Sequence, residues 1–208
     1  SSFFIFLNRK LRQHKSTKLL FFIYGWLFGF GYFMSNLYWI SISLTFDQNY
    51  KFLIPFTIVL IPAFLALFYG CISCLFFILK PKKIVISFLI FSLIFGILEF
   101  IRGSILTGFP WNLVVYSFSN QLEFLSVTSI IGTYGLNLFC ISLFTSPAIF
   151  ILRDTKKDIA VFIFFLISVL IFYIYGSFYK DKFNIEVKKN LEYKIRVIGS
   201  NINLDRFY

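Results

Sequence analysis

Apolar residues occupy this chain in long runs separated by short basic stretches, and that alternation predicts its architecture. The first complete run covers about Leu19 to Phe46, the second about Phe52 to Leu79, and the third about Ile84 to Ile101. A fourth starts between Phe124 and Ile131 and ends near Leu152, taken as 127–152; the fifth covers Ile159 to about Tyr179. A helix needs about 20 consecutive apolar residues to cross a hydrocarbon core of about 30 Å. The pattern therefore predicts an all-α polytopic membrane bundle of about five transmembrane helices within 19–179. Residues 1–18 read as the end of a preceding helix, carrying Phe3 to Leu7, and a basic loop. Residues 102–126 are only moderately apolar and are interrupted by Gly103, Gly108 and Pro110, so they predict an irregular connection. In the second span Pro55 falls in the first turn, where a missing N–H costs little, whereas Pro62 is placed to bend the helix. The polar residues 180–208 read as a linker followed by a strand over Tyr193 to Ile198, the truncated start of a further domain.

Composition rules out a soluble fold. With 59% of residues hydrophobic, 14% charged and 32 phenylalanines, no aqueous domain could hide its apolar surface. The net charge of +11 changes this picture only through its placement. Lys and Arg gather at Arg9 to Lys18, Lys80 to Lys83 and Arg153 to Lys157, as expected of loops retained in the cytoplasm, so no nucleic-acid partner is called for. Five crossings from a cytoplasmic start place the tail on the periplasmic side. The tail is itself rich in Lys, which alone argues the opposite, but a large translocated domain escapes the charge rule.

Chemistry-bearing residues are few. Cys71, Cys74 and Cys140 lie in apolar runs, where a thiol behaves as a small hydrophobe, and Cys71-x-x-Cys74 has no second pair, so no metal site is expected. His14, the one histidine, falls in the basic cytoplasmic loop, away from any external nucleophile. Gly25 and Gly29 form a G-x-x-x-G face continued by Tyr32 and Asn36. Close helix packing, with Asn36 bonding across the interface, is the expectation; a lipid-headgroup contact by Asn36, Tyr38 or Trp39 is the alternative. Glu99 and Arg102 are i,i+3 neighbours near the external end of the third span, suited either to a structural clamp or to a phospholipid site. Phe109, Pro110, Trp111 and Asn112 follow in a segment whose irregular backbone must be buried in protein or line a wet cavity. Gly132 and Gly135, in the stretch that ends at Asn137, are expected at a close helix contact.

These blocks resemble apolipoprotein N-acyltransferase, the bacterial inner-membrane enzyme that adds the third acyl chain to lipoproteins. The resemblance rests on Gly29-Phe30-Gly31-Tyr32-Phe33 with Leu37-Tyr38-Trp39-Ile40, and on Glu99-Phe100-Ile101-Arg102-Gly103 with Thr107-Gly108-Phe109-Pro110-Trp111-Asn112 and Tyr116-Ser117. Tyr134-Gly135-Leu136 and the segment Ile195 to Ile202 complete it, the latter resembling the first strand of the family's α/β nitrilase-like domain. The resemblance implies a phospholipid acyl donor, a lipoprotein N-terminal diacylglyceryl-cysteine as acceptor, no cofactor, and a Glu-Lys-Cys set that forms a thioester. That set belongs beyond the first strand and maps onto no residue here, so this stretch alone is expected to be inactive. Replacing Trp111 or Arg102 in a complete enzyme is expected to weaken phospholipid use more than folding. A polyprenol-phosphate glycosyltransferase membrane domain and a non-catalytic membrane protein or transporter are the competing readings.

Overall fold

The computed structural model describes residues 1–13, 16–105 and 108–187. Helix α1 (Ser2–Leu11) is followed by α2 (Lys18–Leu37), α3 (Ile54–Leu79) and α4 (Ile84–Ser104). Then come two short helices, α5 (Leu122–Leu125) and α7 (Ala148–Leu152), either side of α6 (Thr128–Thr145), and finally α8 (Ile159–Val187). Among the described residues there is no strand, and five helical stretches are long and apolar enough to cross a membrane: Lys18–Thr45, Gln48–Leu79, Ile84–Ser104, Thr128–Thr145 and Lys156–Glu186. Leu27, Leu60, Leu89, Ile167 and Leu170 are among the many large apolar side chains left exposed on these helices. Only lipid can cover such surface without cost. The proposed strand at Tyr193 to Ile198 and His14 lie outside the described residues.

The bundle is built on aromatic packing. Phe4, Phe21, Phe33, Phe76, Phe88 and Phe91 are essentially inaccessible and belong to one core with Tyr69 and Leu7. Phe4 meets Phe91 at 5.1 Å between ring centroids, and Tyr69 meets Phe33 at 5.2 Å and Phe95 at 5.0 Å, edge to face in the Tyr69 pairs. Helices α2 and α3 form the tightest pair. A side chain added at Gly25 would strike the Tyr69 carbonyl oxygen and the Ser73 hydroxyl; one at Gly29 would meet Tyr69 Cβ at 2.7 Å and its ring at 2.9 Å. Without a hydrophobic drive between helices in lipid, this close approach supplies van der Waals contact. It also lets the Trp26 indole N–H donate to the Ala63 carbonyl at 3.0 Å.

Several boundaries differ from expectation. The first span does not run as one α-helix to Phe46, because α2 ends at Leu37 and 3₁₀ turns occupy Tyr38–Thr45. There Ser41, Ser43 and Thr45 each donate a hydroxyl hydrogen bond to the carbonyl three residues back, at 2.6–2.7 Å, which favours the tighter winding. The fourth span is divided: Gly132 adopts φ 71° inside α6, and Ser146-Pro147 separates α6 from α7. The fifth helix continues past Tyr179 to Val187, so 180–187 is helix rather than linker; its Lys, Asp and Glu residues include no Gly or Pro to stop it. Pro62 lies buried within an otherwise continuous α3.

Helix α8 docks through few contacts. Gly176 sits against the Glu123 backbone, where any side chain would collide, and Lys180 Nζ donates to Glu123 Oε1 at 2.5 Å. That hydrogen bond holds the Glu123 carboxyl below its ordinary value. A group with a depressed folded pKa contributes stability above its unfolded pKa and loses it as pH falls through the folded one. Wild type should therefore melt above Glu123→Gln at neutral pH, and the gap should begin to narrow as the pH drops below the ordinary Glu range near ~4 and close only below the depressed folded value. A gap that persists in acid would show that the ion pair does not hold α8.

Candidate functional site

The last turn of α4 carries a buried ion pair from which a loop is hung. Arg102 and Glu99 are each 1% exposed, and Arg102 Nη2 donates to Glu99 Oε2 at 2.6 Å. Helical i,i+3 spacing places both groups on the face that meets α3, where the Tyr69 side chain stands beside the carboxylate. Arg102 Nη1 donates to two carbonyl oxygens, that of Phe109 at 2.7 Å and that of Trp111 at 3.0 Å. The Phe109 N–H returns a bond to the Arg102 carbonyl at 3.1 Å, and the guanidinium lies 5.3 Å from the Phe33 ring centroid. A planar fork that is always charged suits this task, because it can serve a carboxylate and two carbonyls from one position. The pair lies in the last turns of α4, at the end where it was expected, and is buried within the protein.

That loop departs from regular backbone where its residues permit. Gly108 has φ 76° and its N–H bonds the Ile105 carbonyl at 2.8 Å, while Asn112 has φ 60°, a region that Asn enters more readily than most residues. The Asn112 carbonyl accepts from the Tyr32 hydroxyl at 2.9 Å, tying the loop to α2. On its far side the 3₁₀ turn Val114–Phe118 is fixed by Asn137 of α6, whose buried Oδ1 accepts from the Val115 N–H at 3.1 Å. Gly103 leaves room for the Tyr134 hydroxyl against the end of α4.

Between loop, α2 and the 3₁₀ turn opens a pocket of about 590 Å³, lined by Tyr32, Asn36, Trp39, Trp111, Asn112 and Tyr116 among others. Trp39 and Trp111 approach within 5.6 Å between ring centroids at its mouth, and Trp111 is 54% exposed. Burial pushes the Tyr116 phenol up from its ordinary value. A second, apolar cavity of about 180 Å³ lined by Phe28, Tyr69, Phe91 and Phe95 shares Tyr32, Val114 and Phe144 with the first. The combined shape has aromatic and amide groups at the mouth and an aromatic interior behind them.

Other sequence candidates are placed differently. Asn36 does not bond across a helix interface; its Nδ2 donates to the Tyr32 carbonyl of its own helix, and the residue is exposed beside the pocket. Tyr38 is exposed and does not line the pocket, while Pro110 caps neither end of a helix and lies within the tethered loop. Gly132 faces open space and serves the kink rather than a helix contact, and a side chain at Gly135 would meet Ile131 of the same segment. Reading the sequence passed over Tyr69 and gave Tyr32 and Asn137 no specific partner. Each is a hydroxyl or amide within an apolar run, which is the signal available for them. No group of three metal-ligating side chains occurs among the described residues. Cys140 is fully buried in a cluster with Leu136 and Phe124.

Residues 2–146 match the family model described as Apolipoprotein N-acyltransferase N-terminal domain. The chain is 41% identical over 129 residues to the apolipoprotein N-acyltransferase of Rhodopseudomonas palustris, covering 61% of this chain and 24% of that protein. It is 38% identical over 156 residues to that of Rickettsia prowazekii, covering 74% of this chain and 31% of the relative. The chain thus spans roughly a quarter to a third of the length of the curated relatives it matches. No solved structure matches it.

Proposed function

Given that the chain belongs to the apolipoprotein N-acyltransferase family through its N-terminal membrane domain, we propose that it is the lipid-handling part of an enzyme that moves an acyl chain from a membrane phospholipid to the N-terminal diacylglyceryl-cysteine of lipoproteins. In that reaction a cysteine thiolate attacks the phospholipid ester carbonyl and expels a lysophospholipid, leaving a thioester. The α-amine of the acceptor then attacks the thioester, forms the amide and returns the thiolate. The residues described here contribute binding and orientation to this sequence, and no bond-making group: Cys140 is sealed in an apolar cluster without a base. The enzyme sits in the inner membrane with the basic turns at Lys80 to Lys83 and Arg153 to Lys157 in the cytoplasm, and the pocket and tail toward the periplasm.

The observation that carries this reading is the amphipathic pocket at the end of α4, held open by the loop that Arg102 tethers. Its volume falls within the range of about 300–1,000 Å³ usual for small-molecule sites. Tyr and Trp at its mouth suit the headgroup region of a bilayer, and the Phe-lined cavity behind suits the first part of an acyl chain.

Trp111 is exposed, so its removal tests binding without opening the core. In the full-length enzyme, Trp111→Ala and Trp39→Ala should each raise KM for phospholipid about tenfold, the effect of losing an aromatic anchor, while the melting temperature stays near wild type. Unchanged KM in the double variant would reduce the pocket to scaffold.

A further inference from the structure

The bundle has a second polar concavity at the end remote from the Trp39–Trp111 pocket. Helix α2 starts there, α3 ends there and α4 starts there, whereas the first pocket adjoins the opposite ends of α2 and α4. The concavity has a volume of about 570 Å³ and lies between the end of α1 and the α3–α4 turn. Leu11 and Phe77 give it apolar walls, and Arg12, Lys80 and Lys82 bring three cations to it.

The neighbouring acids do not neutralise this set. Asp154 Oδ2 accepts the first free N–H of α4, from Ile84 at 2.8 Å, and its other oxygen reaches Arg12 only at 3.8 Å. Asp158 accepts the N–H groups of Asp154 and Thr155 at 2.9 and 2.8 Å. Among the described residues no carboxylate comes within 4.0 Å of Lys80 or Lys82. Lys80 is held in place by its left-handed backbone, φ 41°, with its N–H bonded to the Phe76 carbonyl at 3.3 Å and its ammonium 4.8 Å from the Phe77 ring centroid.

We propose that this pocket binds the phosphate of an anionic phospholipid headgroup in the leaflet opposite the Trp39–Trp111 pocket. Three cations against one distant carboxylate leave the site positive, which favours a phosphate without an accompanying ammonium. Zwitterionic headgroups would bring a like charge to Lys80 and Lys82. The apolar walls cover the glycerol and the first methylenes while the phosphate sits among the cations, a division that basic pockets between membrane helices are suited to make. The site is independent of the acyl-donor pocket, so its test does not read acyl transfer.

The experiment uses the full-length protein in neutral detergent, with thermal stabilisation titrated by short-chain phosphatidylglycerol, short-chain phosphatidylcholine and inorganic phosphate. Wild type should bind phosphatidylglycerol in preference to phosphatidylcholine, and Lys80→Asn/Lys82→Gln should weaken that binding by about tenfold or more. Asn is chosen at position 80 because it tolerates the left-handed backbone. Lys156→Gln/Lys157→Gln, which removes the same charge elsewhere at this end, should leave binding nearly unchanged, and Lys80→Arg/Lys82→Arg should retain it. Stabilisation by inorganic phosphate equal to that by the lipid would make dissolved phosphate the source of the ligand; stabilisation by the lipid alone would assign it to the membrane. Equal losses in the two Gln-bearing variants, or no preference between the two lipids, would overturn the site in favour of general surface charge.

Discussion

Arg102→Leu should destabilise the full-length protein by about 3–5 kcal/mol, the range for breaking a buried ion pair by removing one partner, and should abolish acyl transfer. The substitution leaves the Glu99 carboxylate in the interior without its cation and frees the Phe109 and Trp111 carbonyls from their shared donor. Glu99→Leu/Arg102→Leu separates the two losses. With no orphaned charge it should melt above the single variant, yet its loop remains untethered, so transfer should stay low. Thermal melting in detergent alongside a phospholipid-dependent transfer assay reads both quantities. Near-wild-type melting and activity in Arg102→Leu would disprove the clamp. The sequence-based expectation treated Arg102 and Trp111 alike, as residues felt in lipid use more than in folding. Burial separates them: Trp111 stands at the pocket mouth, and Arg102 lies behind the wall.

Gly25→Val is the second large effect. Its Cβ would fall on the backbone carbonyl of Tyr69, which cannot swing aside as a side-chain tip can. Forcing extra carbon atoms into a packed contact costs about 1–3 kcal/mol and occasionally more, and here α2 and α3 must separate to admit it. Separation would also break the Trp26 bond to Ala63 and move Tyr32 away from Asn112. Gly31 is the control, because open space surrounds it on the same helix. Gly31→Ala should match wild type or melt slightly higher, since Gly costs about 1 kcal/mol relative to Ala within a helix. Equal melting of Gly25→Val and Gly31→Ala would mean that the α2–α3 contact does not govern bundle stability.

The contrast between Gly25 and Gly132 shows how far a sequence can be followed. G-x-x-x-G spacing marks one helix face, and the contact at Gly25 and Gly29 follows that face. Gly132 sits in an equally apolar run but has φ 71°, and what it provides is a break in α6. Spacing gives no information on φ. Asn36 illustrates a second limit: it shares the glycine face by helical periodicity, yet its amide bonds the Tyr32 carbonyl of its own helix, a choice that spacing does not reveal. The 3₁₀ winding over Tyr38–Thr45 was hidden for a related reason, since hydropathy averages over α and 3₁₀ geometry alike.

Hydropathy by itself determined the five apolar stretches, their basic connections and the irregular segment after α4, because lipid requires long apolar helices and allows broken backbone only where protein or a cavity satisfies it. The same residues, in order, identified the family. Tertiary structure alone decided that Glu99 and Arg102 are buried within the protein, that Arg102 holds the carbonyls of Phe109 and Trp111, and that Trp39 meets Trp111 beside a pocket. Those outcomes depend on which helices lie side by side and how deeply. One-dimensional spacing cannot carry that information, because groups distant in sequence meet only once the α2–α3–α4 packing has set their distances and excluded water from between them.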